Sequence, residues 1–281
     1  MLLARSVREV REMLRGLPHP FGLVPTMGAL HAGHLRLVER AVTECPTVVG
    51  TIFVNPLQFG PTEDFARYPR AFEADLRAFE AAGVALVFAP DVPQMYPAGF
   101  ATAIDPGPLA AVFEGALRPD HFRGVATVCT KLFSIVGAER AFFGEKDAQQ
   151  VAVLRHVIAD LNLPVELGVV PTVREDDGLA LSSRNIYLSP QERAAAPGLY
   201  RALREIANAV GAGARDRGLL ERARRHLAAP LREAYLDVVD PATFAPLAHL
   251  AAPCIAIGSV YASAVRLIDN IPIHAAAERA A

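Results

Sequence analysis

His31 and His34 stand three residues apart in Pro25-Thr26-Met27-Gly28-Ala29-Leu30-His31-Ala32-Gly33-His34, between an apolar run (Phe21 to Val24) and a stretch of helical periodicity. That spacing puts both imidazoles on one face of a helix start. Unpaired N–H groups and the helix dipole there favour a phosphate. Two imidazoles beside it can donate to the charge that builds as a phosphoanhydride breaks. Gly28 and Gly33 let the backbone approach a ligand closely. The same two histidines can also simply cap the helix and pack.

Four further segments carry polar groups of the right kind. In Asn55-Pro56-Leu57-Gln58, straight after an apolar β-branched run, Asn55 and Gln58 are neutral donors and acceptors, and Gln58 can pair with a small hydroxy acid. The alternative is an Asn-Pro turn with a solvated amide. Arg118-Pro119-Asp120-His121 sets basic groups in a turn before a helix, which suits an anion or a solvated turn. In Gly144-Glu145-Lys146-Asp147-Ala148-Gln149-Gln150 a strand stops at Gly144 and a helix opens. Lys146 is a mobile point charge for phosphate oxygens. Asp147 can cap the helix or hold a ribose hydroxyl, and Gln150 lies one turn on, on the side of Lys146. A capped helix start with a surface lysine would look the same. Last, Leu181-Ser182-Ser183-Arg184 follows Val173-Arg174. Its hydroxyls and guanidinium can clamp phosphates, or form a plain basic turn.

These segments need a scaffold. Ser6 and Glu9 form a capping box ahead of Val7, Val10, Leu14 and Leu17 at helical spacing. Strands are expected at Phe21–Val24, Thr47–Val54, Val84–Phe88, Ala141–Phe143 and Val165–Val170. Helices are expected between them at His34–Val42 (Leu35, Val38 and Val42 inward), Glu73–Ala82, Gly124–Ile135 and Asp147–Leu161. Alternating strands and helices predict an α/β fold, a Rossmann-like parallel sheet with ligands at its carboxyl edge. The alternation stops near residue 172, with a hinge at Pro171-Thr172-Val173. Beyond lie a helical Ala/Arg/Glu-rich region from Pro190 to Ala229, whose charges form a solvated face, and strands at Ala234–Val239, Cys254–Val260 and Val265–Ile268. The chain is therefore expected to divide into residues 1–172 and a smaller α+β C-terminal domain, 173–281, ending in a frayed Ala-rich tail.

Composition narrows the classes. With 52% hydrophobic and 21% charged residues the chain is globular. Lys and Arg number 28 against 30 Asp and Glu, a net charge of -2, so no general electrostatic attraction to a nucleic-acid backbone is expected. Cys45, Cys129 and Cys254 are far apart and odd in number, against a disulfide framework or zinc site. Arg5, Arg8, Glu9, Arg11 and Glu12 interrupt any signal-peptide pattern, and Pro253 and Gly258 break the longest uncharged stretch. A cytoplasmic protein with no membrane partner is expected.

His-x-Gly-His is the signature of the nucleotidylyl-transferase superfamily, and the wider string Pro-Thr-Met-Gly-Ala-Leu-His-x-Gly-His resembles the pantothenate synthetase (pantoate–β-alanine ligase) family. The other four segments follow in that family's order, as do the stretch from Thr62 to Arg70, Tyr235 to Pro241 and Val265 to Asn270. The resemblance implies ATP-dependent joining of pantoate to β-alanine through pantoyl-adenylate, with Mg²⁺ and a homodimer formed through the large domain. It implies His34 as proton donor, with His31, Lys146 and Arg184 also catalytic. ATP would contact Pro25, Thr26, Met27, Gly28, His31, Gly33, His34, Gly144, Glu145, Lys146, Asp147, Val173, Leu181, Ser182, Ser183 and Arg184. Pantoate would meet Gln58, Gln150, Asn55 and Arg118, and β-alanine Gln58. Ser182-Ser183-Arg184 would be the counterpart of the KMSKS loop. Asp75 matches an acid linked to magnesium, though its neighbours here are Glu73 and Ala74, and a surface aspartate is the alternative. Two other activities fit the residues alone: a plain nucleotidylyltransferase and a non-catalytic nucleotide-binding module. A synthetase-like RNA binder would need a basic face.

Overall fold

Small apolar and β-branched residues dominate the strands of the first two-thirds of the chain, and in a computed structural model covering residues 1–61 and 63–275 they build a parallel sheet. In chain order the elements are β1 (Leu2–Ala4), α1 (Val7–Leu14), β2 (Phe21–Val24), α2 (Ala32–Glu44), β3 (Thr47–Thr51), α3 (Phe72–Ala81) and β4 (Leu86–Phe88). Then come α4 (Val92–Met95), α5 (Glu114–Leu117), α6 (His121–Val136), β5 (Arg140–Gly144), α7 (Ala148–Asp160) and β6 (Glu166–Val170). The remainder holds α8 (Pro190–Ala195), α9 (Pro197–Gly211), α10 (Gly218–Ala223), β7 (Leu231–Val239), β8 (Cys254–Ala262) and β9 (Val265–Ile273).

The chain divides into two compact units. The first comprises Met1–Gly144 and Gln149–Pro171; the second takes Glu145–Ala148 and the chain from Thr172 onward. In the first unit, among the described residues, six strands run in the order β1-β4-β3-β2-β5-β6, all pairs parallel. Alternation along each strand feeds two cores, because successive side chains leave opposite faces. Leu23, Val49, Leu86, Phe88 and Phe143 pack with α1, α6 and α7. Val24, Val48, Val87 and Phe142 pack with α2 and α3 on the other face. Burial on both faces is what a parallel sheet requires.

Packing in the sheet centre turns on glycine. Phe142 on β5 is fully buried and lies in register with Gly168 on β6. A Cβ at Gly168 would stand 2.6 Å from its ring, and one at Gly22 on β2 would stand 3.3 Å away. Gly50 on β3 makes the same room for Phe79, at 2.9 Å.

In the second unit β7-β8-β9 form an antiparallel sheet. Leu199, Ala202, Leu203, Ile206 and Val210 recur at helical spacing on α9 and cover one core with Leu236, Val238, Ala256 and Val260. The fold class is therefore the one expected, a Rossmann-like sheet with a smaller α+β unit.

Several local expectations are corrected. β1 carried no pattern in the sequence; it adds an edge strand of three residues beside β4. On α2 the buried stripe is Leu37, Val38 and Ala41, while Val42 is exposed, since the helix begins at Ala32 and rests on the sheet along that line. The helical Pro190–Ala229 region divides into α8, α9 and α10: Pro197 opens α9, and Gly213 turns at φ 102°. Ser6 and Glu9 do form the capping box. The three cysteines are buried and unbridged, and burial pushes the Cys129 thiol up to about 12. No helix among the described residues is long and apolar enough to cross a membrane. The expected frayed tail and Thr62 lie outside the described residues.

Because Phe142 is enclosed between neighbouring strands, Gly168→Val should force the sheet apart and cost about 1–3 kcal/mol of stability. Urea denaturation followed by circular dichroism checks this; an unchanged midpoint would mean that the ring yields freely.

Candidate active site

Strand β2 ends at Val24, and the turn that follows is held from two sides before it reaches α2. Thr26 donates its hydroxyl to the Thr51 carbonyl (2.5 Å) and accepts the Gly28 N–H (3.2 Å). Gly28 sits at φ 82°, where a side chain would be strained and a Cβ would lie 2.9 Å from Asp75 Oδ2. Asp75 itself accepts from the Ala29 and Leu30 amides at 2.9 and 2.8 Å.

His31 is the N-cap of α2, and its Nδ1 accepts from Gly33 N–H at 3.1 Å. His34 Nδ1 accepts from His31 N–H at 3.3 Å, completing a reciprocal cap. The rings lie 4.1 Å apart at 38°. A neutral ring that accepts at Nδ1 carries its hydrogen on Nε2, so both rings are donors through Nε2. Capping and donation to a ligand are thus compatible. Gly33 is needed for the cap, since a Cβ there would meet His31 Cε1 at 2.9 Å.

After β3, the adjacent strand, Asn55 is 1% exposed. Its Nδ2 donates to Gln58 Oε1 (3.1 Å) and the Gly124 carbonyl (3.2 Å). Its Oδ1 accepts from Leu57 N–H (3.2 Å) and the Tyr96 hydroxyl (2.7 Å). All four hydrogen-bonding positions of the amide are used. Asn55 is therefore neither a solvated amide nor a ligand contact in this structure; it orients Gln58. Gln58 Nε2 also reaches Met27 Sδ at 3.1 Å, which links the first two segments.

Arg118 is likewise already engaged. Its guanidinium makes a two-pronged pair with Glu63 at 2.6 and 2.8 Å and donates to the Gln58 carbonyl at 3.2 Å. His121 Nδ1 lies 2.9 Å from that carbonyl, and its Nε2 lies 3.1 Å from Arg118 Nη1. Burial, helped by the Arg118 charge, pulls the His121 imidazole down to about 4, so it is neutral near pH 7. Neutral, it donates from Nδ1 to Gln58 and accepts from Arg118. Burial pushes the Glu63 carboxyl up, but the hydrogen bonds and charge of Arg118 outweigh it and the net shift is downward. Arg118 thus braces the Gln58 backbone, and an anion would have to displace Glu63 to reach it. The Glu63–Arg118–His121 arrangement was not visible in the sequence, where Glu63 is one acid among several.

Of two adjacent glutamines on α7, Gln149 is buried and donates to the Leu109 and Val112 carbonyls at 3.0 and 2.8 Å. Gln150 is half-buried. The first unit thus gathers His31, His34 and Gln58 on the loops after β2 and β3, while Gln150 follows β5. Strands β2 and β5 flank the point where the strand order reverses, the usual ligand edge of such sheets.

Asp75 is 2% exposed, not a surface residue. Both its oxygens face amides, and no cluster of three His, Cys, Asp or Glu able to hold a metal occurs among the described residues. Asp75 thus anchors the Ala29–Leu30 turn.

The second unit carries the basic groups. Lys146 lines a pocket with Ala180, Ser182, Asn185, Tyr200 and Arg266. Arg174 pairs with Ala180 across a bridge, and Leu181 N–H donates to the Val173 carbonyl at 3.0 Å, so residues 173–181 form a hairpin leading into Ser182-Ser183-Arg184. Gly178, at φ 95°, turns that hairpin under the Tyr200 ring, which a Cβ would strike at 2.1 Å. Ser182 Oγ accepts from Arg184 N–H at 3.3 Å. Lys146, Val173, Leu181, Ser182, Ser183 and Arg184 therefore belong to one unit, with Glu145 and Asp147, whereas Gly144 closes β5 in the other.

Sheet order and loop chemistry define an α/β protein of Rossmann-like type that concentrates donors at the carboxyl edge of its parallel sheet. The chain belongs to the pantoate–β-alanine ligase family, whose model matches residues 3–272. It is 53% identical over 274 residues to a pantothenate synthetase of Chloroflexus aurantiacus, covering 96% of this chain and 97% of that one. A crystal structure of pantothenate synthetase from Thermus thermophilus superposes with a TM-score of 0.93 at 50% identity, covering 98% of this chain and 100% of that one. The pantoate–β-alanine ligase of Francisella tularensis, complexed with beta-gamma ATP and β-alanine, gives 0.81 at 30% identity, with 97% of each chain covered.

The depressed His121 imidazole has a consequence for stability. The unfolded chain takes up this proton below about 6.5 and the folded chain only near 4, so stability should fall as pH drops between those values. Asparagine can donate to the Gln58 carbonyl but does not titrate. The urea midpoint of His121→Asn should therefore decline less between pH 7 and pH 4.5 than that of the parent; equal declines would place the titration elsewhere.

Proposed function

We propose that this chain joins pantoate to β-alanine at the expense of ATP, releasing AMP and pyrophosphate. The observation that carries the reading is the reciprocal cap of His31 and His34 at the start of α2, which leaves the hydrogen of each neutral ring on Nε2, in a member of the pantoate–β-alanine ligase family. The Francisella tularensis ligase, similar over nearly its whole length, was crystallised with beta-gamma ATP and β-alanine, which supports the same two substrates here.

In the proposed reaction the pantoate carboxylate attacks the α-phosphate of ATP in line, and pyrophosphate leaves. The neutral amine of β-alanine then attacks the carbonyl of pantoyl-adenylate, expelling AMP. Such transfers depend on positioning and charge neutralisation more than on covalent help. His34, with His31, donates to the breaking anhydride. Lys146, Ser182, Ser183 and Arg184 hold triphosphate oxygens, together with backbone from Pro25 to Gly28, Gly33, Gly144 to Asp147, Val173 and Leu181. Gln58 and Gln150 hold pantoate, and Gln58 also receives β-alanine. Asn55 and Arg118 serve these substrates through Gln58. Magnesium enters on the ATP phosphates, as part of the substrate. We assign residues 173–281 the role of a lid that shields the acyl-adenylate from water, with residues 1–172 binding nucleotide and pantoate. A cytoplasmic homodimer formed through the larger unit, without nucleic-acid or membrane partners, completes the proposal.

AMP production with ATP, pantoate and β-alanine tests it: AMP should form in quantity only with both organic substrates. Sustained pyrophosphate release without the amine would indicate a nucleotidylyltransferase, and neither product a binding module. His34→Ala and Lys146→Ala should each slow adenylation at least about tenfold, ~1.4 kcal/mol of transition-state stabilisation. Unchanged rates in both variants would remove these roles.

A further inference from the structure

The turn that carries Lys146 has little regular structure of its own. Glu145–Asp147 is a single 3-10 turn between the end of β5 and the start of α7. Within the second unit its backbone is gripped by one side chain: Asn270 Nδ2 donates to the Glu145 carbonyl and to the Lys146 carbonyl, both at 2.8 Å. Two hydrogens on one amide nitrogen meet two consecutive carbonyls, and this fixes the peptide between them. Asn270 is 3% exposed, and its main chain is set by the antiparallel ladder, opposite Ile257 on β8.

The neighbouring residue reaches the other phosphate segment. Asp269 Oδ2 and Oδ1 accept from Arg174 Nη1 and Nη2 at 2.5 and 2.9 Å, and Arg174 Nη2 also donates to the Asn270 carbonyl at 3.2 Å. The guanidinium stacks on Tyr200 at 4.3 Å and donates to the Gly178 carbonyl at 3.1 Å. Arg174 lies across from Ala180, two residues before Ser182. An unbroken path thus runs from the Lys146 carbonyl through Asn270, Asp269 and Arg174 to the hairpin that ends in Ser182-Ser183-Arg184. Lysine has a long, mobile stem, so where its ammonium can reach depends on where its backbone is held.

We propose that Asn270 is a positioning residue for the ligation: from β9 it holds the Lys146 turn at a fixed separation from the Ser182–Arg184 loop, so that both meet one triphosphate. The proposal rests on the phosphate role given to Lys146 above. Asparagine suits the task uniquely among short side chains. An aspartate would set a negative oxygen against two carbonyls, and a serine could serve one carbonyl only.

A double-mutant cycle in the full-length chain separates positioning from general stabilisation. Asn270→Ala, Lys146→Ala and the double variant are compared by kcat and by KM for ATP and for pantoate, with folding checked by thermal melting. The expected result is a tenfold or greater fall in kcat for Asn270→Ala with KM for pantoate unchanged, and no further fall when Lys146→Ala is already present. A kcat within twofold of the parent would overturn the proposal. So would losses that multiply in the double variant, since Asn270 would then act independently of Lys146. If Lys146→Ala alone were fully active, the phosphate role of the lysine would fall and this proposal with it. Should Asn270→Ala fail to fold, Asn270→Ser, which retains one donor, goes through the same cycle and is expected to lose less.

Discussion

The two Nδ1 atoms at the start of α2 accept backbone hydrogens, and that choice fixes the tautomer of each neutral ring. An imidazole is ambiguous in solution, with two tautomers and two possible donor directions. Here each ring spends one nitrogen on the helix end and so becomes a one-directional donor. The glycine between the histidines, the Asp75 carboxylate beneath the preceding turn and the Thr26–Thr51 contact all keep that helix start where the sheet delivers it. A side chain that satisfies its own helix is usually taken as structural. In this arrangement the capping bond leaves Nε2 as the hydrogen-bearing nitrogen of each neutral ring.

A second layer of polar residues, buried or partly buried, is tied together by hydrogen bonds. Asn55, His121, Glu63 and Arg118 surround Gln58 and leave it few orientations. Leaving any of these groups buried and unpaired would cost about 1–3 kcal/mol. The network therefore holds Gln58 in place in the loop that follows β3. The second unit uses the same device with charge, pairing Arg174 with Asp269 deep in its sheet.

Much of the scaffold was legible in the sequence. Phe21–Val24, Thr47–Val54 and Ala141–Phe143 read as apolar runs, the mark of covered parallel strands, and the histidine pair announced the helix start between the first two. Position along the chain also told where chemistry gathers, since ligands in such folds meet loops that follow strands. What the sequence hid is contact between distant residues. Asn55 and Arg118 have the side chains of ligand-binding residues, yet their partners, Gly124, Tyr96 and Glu63, lie far along the chain and engage the groups they offer. Asp75 reads as a surface acid on an amphipathic helix until the Ala29–Leu30 turn settles on it. β1 escaped because three residues, two of them exposed, leave no periodicity to detect.

Glu145–Ala148 belongs with the second unit although the residues on either side belong with the first. The polypeptide therefore passes between the units at three points, not one. A protein severed at residue 172 would yield a C-terminal fragment lacking the very turn that its own β9 holds. Cut there, neither piece of the chain is a whole unit.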